Sequence, residues 1–187
     1  MLSSQVYAVI NGERDYQESA WRTKCHHAGV PFIDDAEKGL ADWLVYIKGY
    51  YNDAVTAASH AADYKEALRI VRKLAALCVA CMEQLGGWDQ RLDGTFGTFY
   101  PGPLPRKTIY YMIERVRAYH MEKCGDHIET YHGSINGYLL VFGCLLEEAI
   151  DSHLEASTKM VLRPVLAMAG IAVHCMEDYG APPREAC

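Results

Sequence analysis

The sequence predicts an all-α protein, and three observations carry that prediction. Apolar residues recur at helical period over most of the chain. The β-branched alternation of strands is scarce, with only short pieces such as TFGTFY suited to an extended conformation. One long apolar pattern occurs twice: it closes on VACMEQLG, Val79 to Gly86, and again on VHCMEDYG, Val173 to Gly180, ninety-four positions later.

The elements follow in order. The opening MLSSQVYAVINGERDYQ becomes charged too early for a signal peptide, and no targeting motif follows, so a cytoplasmic protein is expected. In Leu40–Ser59 the residues Leu40, Trp43, Leu44, Ile47, Tyr51 and Ala54 form one helical stripe. Lys65–Gly86 begins amphipathic and ends nearly all apolar, with Asp63 and Glu66 placed for a capping box and Gly86-Gly87 as a stop. Gly86–Lys107 is rich in Gly and Pro and aperiodic, which reads as a linker. Helical pattern resumes over Thr108–His120, then over SINGYLLVFGCLLEEAIDSHLEAS with Ser134 as N-cap, then over TKMVLRPVLAMAGIAVHCMEDYG. The tail APPREAC is expected to fray. No apolar run reaches the roughly 18–20 residues that span a bilayer.

A length of 187 residues allows one domain, or two small halves sharing a core. The net charge of −6 argues against broad nucleic-acid binding. Seven cysteines, an odd number with several in apolar helical patterns (Cys78, Cys81, Cys144, Cys175), read as reduced core thiols. Cys78-x-x-Cys81 lies inside an apolar helix, so core thiols are favoured over a redox motif.

Lys65–Gly86 aligns on Lys159–Gly180 without a gap, and ten of the 22 positions are identical, among them Lys65/Lys159, Arg69/Arg163, Cys81/Cys175 and Glu83/Glu177. The preceding helices also align, DWLVYIKGYYNDA on GYLLVFGCLLEEA, which places Asp53 on Glu148. Glu13-Arg14 and Glu114-Arg115 give a looser match ahead of them. A unit repeated in this way, too apolar to stand alone, packs on its copy. The expectation is a tandem duplication forming an intrachain pseudo-dimeric helical bundle: repeats at 1–87 and 108–187, a linker at 88–107, and one shared core.

ERDYQESAW, DWLVYIKGYYNDA and EALRIVRKLAALCVACMEQLG together resemble the small, phage-type MazG-like proteins of the all-α nucleotide pyrophosphohydrolase superfamily. The resemblance covers Glu13–Gly86 and reaches the second half through the repeat. It implies a four-helix core built from two subunits, and cleavage of nucleoside triphosphates with Mg²⁺ held by carboxylates. That chemistry needs hard oxygen ligands converging from two helices. The family's first acidic run falls here on Gly49, Tyr50 and Asp53, and its second pair on Ile70 and Lys73. In the second half they fall on Cys144, Leu145 and Glu148, then Pro164 and Ala167, with Pro164 expected to kink or shorten its helix. One acid survives in each copy, so Mg²⁺ binding in the family's manner is not expected. A displaced metal site at Glu147, Glu148 and Asp151, extended by Glu155, competes with a solvated acidic face.

Lys65 with Arg69, and Lys159 with Arg163, recur at i, i+4 near the start of the duplicated helix; they read either as two basic pairs that approximate twofold symmetry sets around one anion-binding cleft, or as ordinary solubilising charge. Cys25-His26-His27 and Cys124, His127, His132 do not match zinc spacings and read as structural or surface residues. His174 reads as a packed histidine, and Trp21, Trp43 and Trp88 as core or hinge aromatics, one of which could stack on a base. There is no Walker loop, dinucleotide fingerprint or nucleophile elbow. Three functions are open: a catalytically degenerate MazG-like protein binding a phosphorylated nucleotide, a module that binds a host protein, or an active Mg²⁺-dependent pyrophosphohydrolase. A homodimer is compatible with each.

Overall fold

The computed structural model describes residues 1–28, 37–60, 64–90, 97–131, 134–155 and 157–184. Its helices are α1 (Ser3–Ala28), α2 (Leu40–His60), α3 (Lys65–Leu85), α4 (Arg106–Tyr131), α5 (Ile135–Leu154) and α6 (Thr158–Tyr179). Strands β1 (Gly86–Asp89) and β2 (Thr98–Pro101) pair antiparallel, with Trp88 opposite Phe99. The segment expected to be a linker therefore holds a hairpin. Its Trp88 is buried against Phe99 and donates to the Lys159 carbonyl at 2.6 Å. Aperiodic sequence is what a four-residue strand pair between glycines looks like, since period 2 has no length in which to show.

The core is centred on α3 and α6, which pack on each other. Leu74, Leu77, Val79, Cys81 and Met82 are fully buried on α3, as are Val165, Met168, Val173 and Met176 on α6. Each such aliphatic side chain contributes about 1.5–3 kcal/mol on leaving water. Burial pushes the Cys175 thiol up to about 12 and those of Cys78 and Cys81 higher, so these cysteines are inert core residues.

Gly86 ends α3 with φ of +106°, in the region that favours glycine, and a Cβ there would strike the Tyr100 carbonyl. Ser134 caps α5, accepting from the Gly137 amide at 3.1 Å. The residue at the N-cap of α3 is Tyr64, with no side-chain cap bond, and Asp63 lies outside the described residues. Pro164 sits buried inside α6 without shortening it: α6 runs 22 residues and α3 runs 21.

Similar contacts occur in the two halves of the chain. Trp43 on α2 donates to Gln84 at 2.7 Å, and Tyr138 on α5 donates to Asp178 at 2.5 Å. Arg14 on α1 pairs with Glu83 at 2.9 Å, and Arg117 on α4 pairs with Glu177. The other oxygen of Glu83 takes Arg106 at 2.6 Å, and that of Glu177 takes the Ser3 hydroxyl at 2.6 Å. Tyr7 donates to Glu114 and Tyr110 to Asn11, both at 2.7 Å, and the two rings lie 4.5 Å apart. Arg117 thus stands to Glu177 as Arg14 stands to Glu83, whereas Arg115, the residue matched to Arg14 by sequence, pairs with Asp89.

Among the described residues α6 is one helix long and apolar enough to cross a membrane, contrary to the expectation that no segment qualifies. In this fold 72% of its most apolar window is buried within the bundle.

Candidate functional site

A buried polar cluster lies between α1 and α3. α3 contributes Arg72, 4% exposed on the buried side of the helix, and α1 contributes Glu13, 2% exposed. Arg72 Nε donates to Glu13 Oε2 at 3.0 Å. Taking both charges out of water is costly, and the pair persists because further hydrogen bonds satisfy it. Arg72 Nη1 donates to the Pro182 carbonyl, and Arg184 Nη1 lies 3.4 and 3.3 Å from the two Glu13 oxygens. Burial lowers the Arg72 pKa first, Glu13 opposes this, and Arg184 and Arg69 add to the lowering. Four charges therefore sense one another here.

The rim is aromatic and basic. The Arg184 guanidinium lies over the Tyr16 ring, and Lys73 Nζ lies 5.6 Å from the centre of the Tyr50 ring. The Tyr50 hydroxyl is raised, by burial first and then by the charges of Glu13 and Asp53, with Arg184 opposing. Arg69, one turn before Lys73 on α3, pairs with Glu66 at 3.1 Å.

The sequence-selected basic residues do not converge. The end of α3 meets the start of α6 at Trp88 and Lys159, whose ammonium also lies 4.7 Å over the Trp88 ring. Lys65, at the start of α3, lines an open groove with Tyr179, Gly180 and Ala181 at the far end of α6. The two helices run antiparallel, and 21 residues rise about 30 Å. Lys65/Arg69 and Lys159/Arg163 thus lie at opposite ends of the bundle. The expectation of one shared cleft is corrected, because antiparallel packing of α3 on α6 puts their first turns at opposite ends. Arg163 instead lies near His120, whose pKa is lowered by burial and then by that charge.

Asp53 is exposed on α2, and Glu147, Glu148 and Asp151 are exposed on α5. Among the described residues no three His, Cys, Asp or Glu side chains converge as metal ligands. The α3 positions that would complete a carboxylate cage are the buried Ile70 and the cation Lys73, and in α6 the buried Pro164 and Ala167. This donor set does not fit Mg²⁺, which needs hard anionic oxygens. The side chains of Trp21, Cys25, His26, His27, Cys124, His127 and His132 lie outside the described residues. His174 is packed beside Arg117 and Glu177, and Trp43 is fully buried.

Glu13, Tyr16, Arg72 and Arg184 are the site residues that pattern reading missed. The available signal was Arg72, a charge on the buried stripe of a helix whose neighbours on that stripe are Leu68, Val71 and Ala75. No protein-family model, curated protein or solved structure matches this chain.

Proposed function

We propose that the chain is a tandem-duplicated MazG-like scaffold, folded as its own pseudo-dimer, that binds a phosphorylated nucleotide through cations rather than through Mg²⁺. The paired contacts at Glu83 and Glu177, and at Tyr7 and Tyr110, support the duplication. One observation carries the ligand reading. Where the resemblance implies metal-binding carboxylates on the second and third helices of the unit, this chain sets Tyr50 and Lys73 against each other. A cation held over an aromatic face offers a phosphate a direct partner and a base a stacking surface. Arg69 extends the cation side by one helical turn.

The test is a thermal-shift panel of nucleoside mono-, di- and triphosphates, run with Mg²⁺ and with EDTA. At a concentration about a hundredfold above Kd a single-site ligand stabilises by ~2.7 kcal/mol. For a chain of this size that is a rise in Tm of roughly 5–11 °C. The rise should survive EDTA, and Lys73→Ala should weaken binding by about 10- to 100-fold, the loss of one charge-assisted contact. Pyrophosphate release that requires Mg²⁺ and disappears in Glu148→Ala would replace this reading with the pyrophosphohydrolase. A flat panel would leave the scaffold as a protein-binding module, to be pursued by capture from host lysate.

A further inference from the structure

The segment Gly180–Arg184 does not trail away from α6. Gly180, at φ of +93°, turns the chain, and Ala181 is buried. The Pro182 carbonyl accepts from Arg72, and Arg184 reaches Glu13 and covers the Tyr16 ring. The expected fraying of APPREAC is thus corrected for its described part, because the segment has charged and aromatic partners waiting for it.

Two features make this contact separable from the fold. Glu13 keeps its bond to Arg72 when the Arg184 side chain leaves, and Arg72 keeps the Pro182 carbonyl, so no buried charge is orphaned. Arg184 is 26% exposed on its side chain, against 4% for Arg72, so it sits at the mouth of the cluster and not in its floor. Pro182 and Pro183 stiffen the approach, which lowers the entropy lost on docking. Meanwhile Arg184 occupies the Tyr16 face, on the same rim as Tyr50.

We infer that Arg184, carried on the docked segment Gly180–Arg184, is an autoinhibitory latch, its guanidinium covering the Tyr16 face on which the base of a bound nucleotide must stack. This rests on the nucleotide reading for its ligand, but the latch has a readout of its own. Trypsin cleaves after arginine only when the side chain is free to enter the protease, so the fragment ending at Arg184 reports latch opening.

Two measurements test it. In the first, the nucleotide panel is titrated against wild type and Arg184→Ala. If the latch is closed about nine-tenths of the time, the variant binds about tenfold tighter, since apparent affinity scales with the competent fraction. Equal binding by Arg184→Ala overturns the inference, and weaker binding overturns it and makes Arg184 a ligand contact. In the second, the fragment ending at Arg184 is quantified by mass spectrometry early in native digestion. It should form slowly in wild type and severalfold faster in Tyr16→Ala, which removes the aromatic platform and leaves the Arg72–Glu13 pair. Equal rates overturn the inference. If neither wild type nor Arg184→Ala binds any nucleotide, the proposed function fails, and the latch is decided by the cleavage rates alone.

Discussion

Arg72 and Lys73 are adjacent on α3 yet meet opposite environments. Lys73 lies at the rim over Tyr50, while Arg72 is sealed against Glu13. Removing one member of a buried pair strands the other, at about 3–5 kcal/mol. Removing both in favour of apolar residues of similar volume is often neutral. Glu13→Val strands the buried Arg72 and should destabilise by about 3–5 kcal/mol, Arg72→Leu should cost less because Glu13 keeps Arg184, and the double variant should recover most of the loss. Urea denaturation reads all three, and additive single losses would show that the pair is not the coupled unit described. The sequence reading passed over Arg72, a charge on an apolar stripe, and its partner lies 59 positions away on another helix. No local pattern names such a partner, because the pairing is set by how α1 docks on α3.

At the scale of elements, α2 and α5 pack through Tyr51, which stacks on Phe142 at 5.9 Å and lies directly over Gly143. A Cβ on Gly143 would collide with the Tyr51 hydroxyl, whereas a Cβ on Gly49, also inside a helix, would meet nothing within 4 Å. Alanine in a helix interior is favoured over glycine by about 0.5–1 kcal/mol. Gly49→Ala should stabilise by that amount, and Gly143→Ala should fall about 1–2 kcal/mol below it, because Tyr51 must leave its stack. Thermal melts of the two variants suffice, and equal gains would mean that the α2–α5 contact is looser than drawn. The helices themselves were legible: the stripe from Leu40 to Ala54 is α2, and Ser134 caps α5. The β1–β2 hairpin was not, because its stability comes from burying Trp88 against the start of α6, a tertiary contact. The anion cleft was misplaced for a similar reason. Similarity between two segments does not say whether their like ends meet, and antiparallel packing of α3 on α6 keeps those ends about 30 Å apart.

Across the whole molecule, the halves are joined by hydroxyl and guanidinium groups rather than by apolar contact alone. Tyr7 on α1 reaches Glu114 on α4, Tyr110 on α4 reaches Asn11 on α1, and Arg106 ties Glu83 to Asp15 and Glu18. Burial pulls the Arg106 pKa down, but its bonds to Glu83 and Asp15 outweigh this and hold it up, so it stays charged. The seam's response to pH therefore falls to the phenols. Tyr7 is raised by burial and then by Glu114, and Tyr110 by burial and Glu83 against the opposing charge of Arg106. Tyr138, buried on α5, is raised by burial and then by Asp178. Below about pH 10, the ordinary phenol value, folded and unfolded chains both keep these protons and the full stability is present. As pH rises past that value the unfolded chain ionises first, binds fewer protons than the folded chain, and gains free energy. Stability is then lost until the raised folded values are passed. Each such tyrosine contributes a slope of up to roughly 1.4 kcal/mol per pH unit. The bundle should accordingly weaken steeply between about pH 10 and 12. Tyr7→Phe should lower stability at neutral pH by about 1 kcal/mol, the bond to Glu114, yet make the alkaline slope shallower by one proton. Urea denaturation across that range measures both quantities. An unchanged slope in Tyr7→Phe would mean that the Tyr7 phenol ionises in the folded chain as readily as in water, and that the seam between α1 and α4 is open to solvent.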